Sequence, residues 1–126
     1  MDQDTGEKWR GIQRETKLEI KTPEELLRIF QIFTPDGSTV QRERFEQKEG
    51  VLVEKKPKLL KNFRTVAMGE DNVHLMWGES GNHFGNFNGE QKVAIQEHDD
   101  GRKSIITSQD SKENPGTIIT KRYTVA

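Results

Sequence analysis

Cysteine is absent from the 126 residues, which removes disulfides, thiol nucleophiles and thiolate-bound zinc from the chemistry open to this chain. No apolar run approaches the roughly 20 residues that a membrane-spanning helix needs. The first residues, MDQDTGEKWRG, lack the basic and apolar regions of a secretory signal peptide. Positive charge is not in surplus either: 20 Lys and Arg stand against 21 Asp and Glu, a formal net charge of -1, so the chain carries no basic field of the kind that holds phosphate backbones. These absences lead us to expect a soluble, cytoplasmic protein with no membrane span and no nucleic-acid partner.

Catalytic and metal motifs are equally scarce. The three histidines, His74, His83 and His98, form no HExxH-type pair, and zinc needs three or four converging ligands. His98 beside Asp99 and Asp100 is read as part of a hairpin turn, whose carboxylates bond their own backbone. Ser80 in GESGNH falls one residue short of a GxSxG elbow and lies among hairpins, away from the strand-turn-helix setting such a nucleophile requires. No catalytic residue, metal site or cofactor is therefore expected.

What the chain does have is short apolar runs cut by turns. Hydrophobic residues are only 30% of the total and charged ones 33%, a balance that supports folding because the apolar residues are gathered rather than scattered. The length fits one compact domain over 1–126. From Trp9 to Ile20, Ile12, Thr16, Leu18 and Ile20 alternate with polar residues at the strand period, with Arg14 in the same phase. TPEELLRIFQIF follows. Thr22 could cap, Pro23 could open a helix, and Leu26, Ile29, Phe30 and Phe33 recur at helical spacing, yet the same residues also suit a strand, so helix and strand both stay open at 23–33.

Beyond it, turn signals recur: TPDG at 34–37, KEG at 48–50, GEDN at 69–72, Asn88-Gly89, DDG at 99–101 and ENPG at 113–116. The segments between them are rich in β-branched and aromatic residues, and Pro57 interrupts one of them. This pattern predicts an all-β fold of about eight to ten short antiparallel strands in sequential hairpins, best closed as an up-and-down β-barrel, with a two-layer sandwich as the alternative.

Gly6-Glu7-Lys8-Trp9 near the start and Arg122 in ITKRYTVA near the end make the chain resemble small lipocalin-type (calycin) barrels, in which a Trp on the first strand is packed by a basic residue of the last. The run RIFQIFTPDGSTVQRERFE is similar in flavour to cyanobacterial lipocalin-like proteins related to bilin lyases. The resemblance implies an interior that receives a hydrophobic or linear tetrapyrrole ligand, with a lyase-like role as a further alternative.

Read from the residues, the lumen of such a barrel would be lined by Leu18, Phe63, Leu75, Trp77, Val93 and Ile95. Arg14 and Arg122, each in phase with apolar neighbours, would sit at a polar end. A buried Arg needs a carboxylate partner or a wet, ligand-bearing cavity, so each admits a structural or a ligand-orienting role. The leading expectation is a non-catalytic barrel that binds a hydrophobic small molecule through Trp9, Arg14, Leu18, Phe63, Leu75, Trp77 and Arg122. The alternative is a protein-interaction module that presents Phe84 and Phe87 at glycine-rich corners to a protein partner. The basic stretch VEKKPKLLKNFR is read as a solvated connection, because Glu46, Glu49 and Glu54 offset its field.

Overall fold

The computed structural model describes residues 12–70, 72–79, 82–84 and 91–126, with the backbone alone at 12–14 and 82–84. Among the described residues, ten strands and one helix follow one another in the order β1 (Ile12–Leu18), α1 (Pro23–Phe33), β2 (Val40–Lys48), β3 (Val51–Glu54), β4 (Lys58–Leu60), β5 (Arg64–Met68), β6 (Asn72–Trp77), β7 (Asn82–Phe84), β8 (Lys92–His98), β9 (Lys103–Asp110) and β10 (Thr117–Val125).

The ambiguous segment 23–33 is a helix, and its N-terminal chemistry explains why. Thr22 Oγ1 accepts from the Glu25 N–H at 3.3 Å while Glu25 Oε1 accepts from the Thr22 N–H at 3.0 Å, a reciprocal capping box, and Pro23 occupies the first turn. Bonds from the Lys21 and Thr22 N–H groups hold the Glu25 carboxyl below its ordinary pKa. Leu26 and Phe30, four residues apart, are buried, so one apolar stripe docks the helix on the sheets.

The strands form two antiparallel sheets. The larger has the order β1-β8-β9-β10-β2-β3, with β4 also paired to β2, and the smaller is β5-β6-β7. The antiparallel, mostly β architecture agrees with the expectation, but the strand order is not the sequential one of an up-and-down barrel: hairpin neighbours account for β2-β3, β5-β6-β7 and β8-β9-β10, while β1 pairs with β8 and β10 pairs with β2. The helix between β1 and β2 is the physical reason, since it separates the two strands and leaves the edge of β2 to the C-terminal strand. No closed ladder is formed among the described residues.

β3 and β4 are two halves of one edge strand antiparallel to β2. Phe45 faces Glu54 in the first half and Arg42 faces Lys58 in the second, a register slip of one residue across Lys55–Pro57. The Lys55 N–H still donates to the Arg44 carbonyl at 2.8 Å. At the other end of β3 a two-residue turn, Glu49-Gly50, joins it to β2, with φ of 51° and 80°, both in the left-handed region that a type I′ turn demands.

The core lies between the sheets and under the helix. Phe30, Phe63 and Tyr123, each essentially without solvent exposure, pack with ring centroids 5.3 to 6.5 Å apart, and Leu60, Leu75, Val93, Ile95 and Ile105 surround them. The sheets are stitched at 36–38: the Gly37 N–H donates to the Phe63 carbonyl (2.6 Å), the Phe63 N–H to the Ser38 carbonyl (3.0 Å), and the Thr65 N–H to Asp36 Oδ1 (2.9 Å).

Candidate functional site

Strand register places side chains in rows across the core-facing side of the large sheet, because residues directly opposite each other share a face. Nearest the helix stands Leu60-Val40-Val125, followed by Lys58-Arg42-Tyr123-Ile105-Ile95. The next row is Arg44-Lys121-Thr107-Val93, and the last holds Val53-Glu46-Ile119-Gln109. The helix end of this face is apolar and packed. One step away, four cations share this face of the sheet: half-buried Arg42 and Arg44 on β2 and Lys121 on β10, and exposed Lys58 on β4.

Glu46 Oε2 meets Arg44 Nη2 at 3.1 Å, and it is the one acidic residue those four rows contain. Opposite one another across β2 and its neighbours stand like charges, Arg42 with Lys58 and Arg44 with Lys121, an arrangement that destabilises a sheet unless something else balances it. Arg42 Nε and Arg44 Nε are buried N–H groups with no acceptor among the described residues, and a buried unsatisfied donor costs about 1–3 kcal/mol.

Burial first, then Arg42 and Arg44, brings the Lys121 ammonium down to a pKa of about 8. Burial outweighs the same two guanidiniums at Tyr123 and pushes its phenol above the ordinary range.

Trp77 faces this cluster from β6. Its ring centroid lies 5.7 Å from Arg42 Cζ and 5.3 Å from Lys58 Nζ, within cation–π range, and its half-buried indole Nε1 also lacks an acceptor among the described residues. The site therefore combines two guanidiniums, two ammoniums and an indole at the edge of an apolar core. Two guanidiniums and two ammoniums beside an indole can hold an anion attached to an apolar or aromatic body.

The expected ligand residues distribute unevenly around it. Trp77 is at the site and Leu18 packs half-buried against the core. Phe63 and Leu75 are fully buried core residues, which makes them the floor of the fold. Arg122 corrects the phase assigned to β10: Tyr123 and Lys121 face the core, and Arg122 lies on the opposite side of the sheet. There its Nε and Nη2 donate to the two Glu43 carboxylate oxygens at 2.6 and 2.7 Å, so it has the carboxylate partner that a structural Arg requires. Arg14 pairs with Glu97 in the backbone ladder. Phe84 pairs with Leu75 through the backbone; Trp9, Phe87 and the Asn88-Gly89 turn lie outside the described residues.

That opposite side holds a second polar group. His98 Nε2 is 2.6 Å from Ser104 Oγ, which is 2.5 Å from Thr124 Oγ1. Burial, followed by Arg122 and Arg102, lowers the His98 pKa. Ser104 is completely buried and out of reach of a substrate, so the chain is a structural tie between β8, β9 and β10. Asp100 accepts from the Arg102 N–H (3.0 Å) and Nε (2.8 Å) in the adjoining turn. Among the described residues no three His, Asp or Glu side chains converge to hold a metal ion.

A cavity of about 660 Å³ runs along β1 and β8, lined by Lys17, Ile20, Lys92, Ala94, Ile106 and Ser108 among others. Its acidic and basic side chains alternate along a solvent-facing groove, and none of the four clustered cations lines it. Arg42 and Arg44 escape a reading from sequence because QRERFEQ puts them in phase with Val40 but out of phase with Phe45, so the alternation alone does not say which face is buried. The signal present is Val40-Arg42-Arg44 set against Lys121 and Tyr123 of the partner strand. Comparison with protein-family models, with curated proteins and with solved structures gives no match for this chain.

Proposed function

We propose that this protein is a non-catalytic binding module for a small molecule with a hydrophobic or pigment-like body and an acidic end, in keeping with the lipocalin-like resemblance of its sequence. The observation that carries the reading is the placement of Arg42, Arg44, Lys58 and Lys121 on the core-facing side of the sheet, beside Trp77. Charges are placed against an apolar core at a cost to folding, and such placements concentrate where a ligand offsets them. Beside the packed floor of Phe30, Phe63 and Tyr123, the outer row carries exposed Val53 and half-buried Ile119, apolar groups that suit the body of such a molecule.

The test uses 1-anilinonaphthalene-8-sulfonate, an aromatic body with one fixed negative charge. Saturable one-to-one binding is expected, weakened by salt and by Arg42→Met or Arg44→Met at least tenfold, with unchanged far-UV circular dichroism. Absence of saturable binding, or equal affinity in the Met variants, overturns the reading. An interaction module is the second reading, favoured by the exposed Val51, Val53 and Leu59 along the β3/β4 edge. Concentration-dependent self-association without dye binding would select it.

A further inference from the structure

We propose that two copies of the chain pair antiparallel through β1, edge to edge about a two-fold axis at Thr16, so that the large sheet runs on from one protomer into the other. The proposal stands apart from the anion-binding reading, because β1 contributes none of the four clustered cations.

The large sheet ends in β1 on one side and in β3 on the other, where β4 continues the edge along β2. That second end is interrupted around Pro57. β1 is not: from Arg14 to Leu18 it pairs with β8 residue for residue, and its one irregularity lies between Ile12 and Arg14. Among the described residues β8 is its sole strand neighbour, and Glu15, Thr16 and Lys17 are exposed. An uninterrupted edge of this kind offers its outward N–H and C=O groups to a further strand.

The residues of β1 favour a second β1 as that strand. Opposed residues in an antiparallel pair share a face of the sheet. A two-fold pairing must therefore be centred on a residue, since a centre between two residues would oppose side chains that point to different faces. Centred on Lys17, it sets Lys17 against itself and Glu15 against Glu19. Centred on Thr16, it sets Glu15 against Lys17 of the partner subunit, twice over by symmetry, with the two threonines side by side. Unlike charges directly opposite favour pairing and like charges resist it. A centre at Leu18 also joins unlike charges, but every pair beyond the central one takes a residue from 19–21, past the end of β1.

The groove along β1 and β8, with Leu18, Ala94 and Ile106 in its lining, gives the partner apolar surface to cover beyond the ladder. The same patch serves on both copies, so the assembly closes at two.

The experiment is sedimentation equilibrium of the full chain, comparing the parent with Glu15→Lys, Lys17→Glu and the double reversal, each checked for unchanged far-UV circular dichroism. A reversible monomer-dimer equilibrium is expected for the parent. Each single reversal turns two unlike pairs into like ones and should weaken it roughly tenfold, and the double reversal, which recreates both pairs, should restore it. Because the chain has no cysteine, Thr16→Cys should form a disulfide-linked dimer on mild oxidation, and Lys17→Cys, off the axis, should do so far less. A parent that stays monomeric, a dimer that the single reversals leave unchanged, or a double reversal that fails to restore it overturns the proposal, whatever the dye does.

Discussion

Replacing Lys121 with Met should stabilise the ligand-free protein, and the gain should disappear in alkali. In the folded chain the ammonium is half-buried opposite Arg44, and burial together with Arg42 and Arg44 brings its pKa from 10.5 to about 8. At about 1.36 kcal/mol per pH unit, that interval corresponds to roughly 3 kcal/mol. The group is partly in water, which screens it, so we retain on the order of 1–2 kcal/mol.

The sign follows from proton binding. Below pH 8 both folded and unfolded chains carry the proton, and the folded state bears the whole penalty. Between about 8 and 10.5 the unfolded chain still holds the proton that the folded chain has released, so stability rises with pH. Urea unfolding at pH 7 should place the midpoint of Lys121→Met about 0.5–1 M above the parent, given a slope of about 1–3 kcal/mol/M for a chain of this size. The two midpoints should converge as pH approaches 10.5. A variant less stable than the parent at pH 7, or a difference that does not change with pH, would refute the description of Lys121 as a cation strained by its neighbours.

Three further outcomes test other parts of the fold. Glu43→Gln removes the partner of a nearly buried guanidinium (Arg122, 8% exposed) and should cost about 3 kcal/mol in urea unfolding; the double replacement Glu43→Leu with Arg122→Met should recover most of it. Glu49→Asn relieves a non-glycine residue at φ 51° and should raise stability by about 0.5–1 kcal/mol, seen as a higher thermal midpoint, because Asn accepts the left-handed region more readily. Thr22→Ala breaks the capping box and should lower stability by about 1 kcal/mol, with helical ellipticity fraying first.

Turn chemistry and alternation made most strand positions legible in the sequence. Val73, Leu75 and Trp77 share a face as their spacing indicates, and Thr65 lies across from Leu75. The helix was legible only in part, because Ile29, Phe30, Ile32 and Phe33 satisfy both periods; the decision came from Thr22, Pro23 and Glu25, local groups that act on the first turn.

Strand order was beyond local reading. β1 beside β8 and β10 beside β2 are long-range pairings to which no turn residue contributes. The face of β10 was ambiguous because Arg122, Tyr123 and Thr124 are all buried: with both sides of a strand covered, polar and apolar residues no longer sort by phase. The cation cluster lies on the same blind spot, since Arg42 and Lys121 acquire their meaning only when β2 and β10, distant in sequence, are set side by side.

The broken edge formed by β3 and β4 has a consequence for assembly. Strand ends of an unclosed sheet invite another chain to hydrogen-bond along them, and long flat edges seed aggregation. Here the edge offers four residues, then a slip around Pro57, which has no N–H to give, then three more. A neighbouring molecule that found register with one half would be out of register with the other. The fold can therefore leave this edge uncovered in a crowded solution without the sheet extending from one molecule to the next.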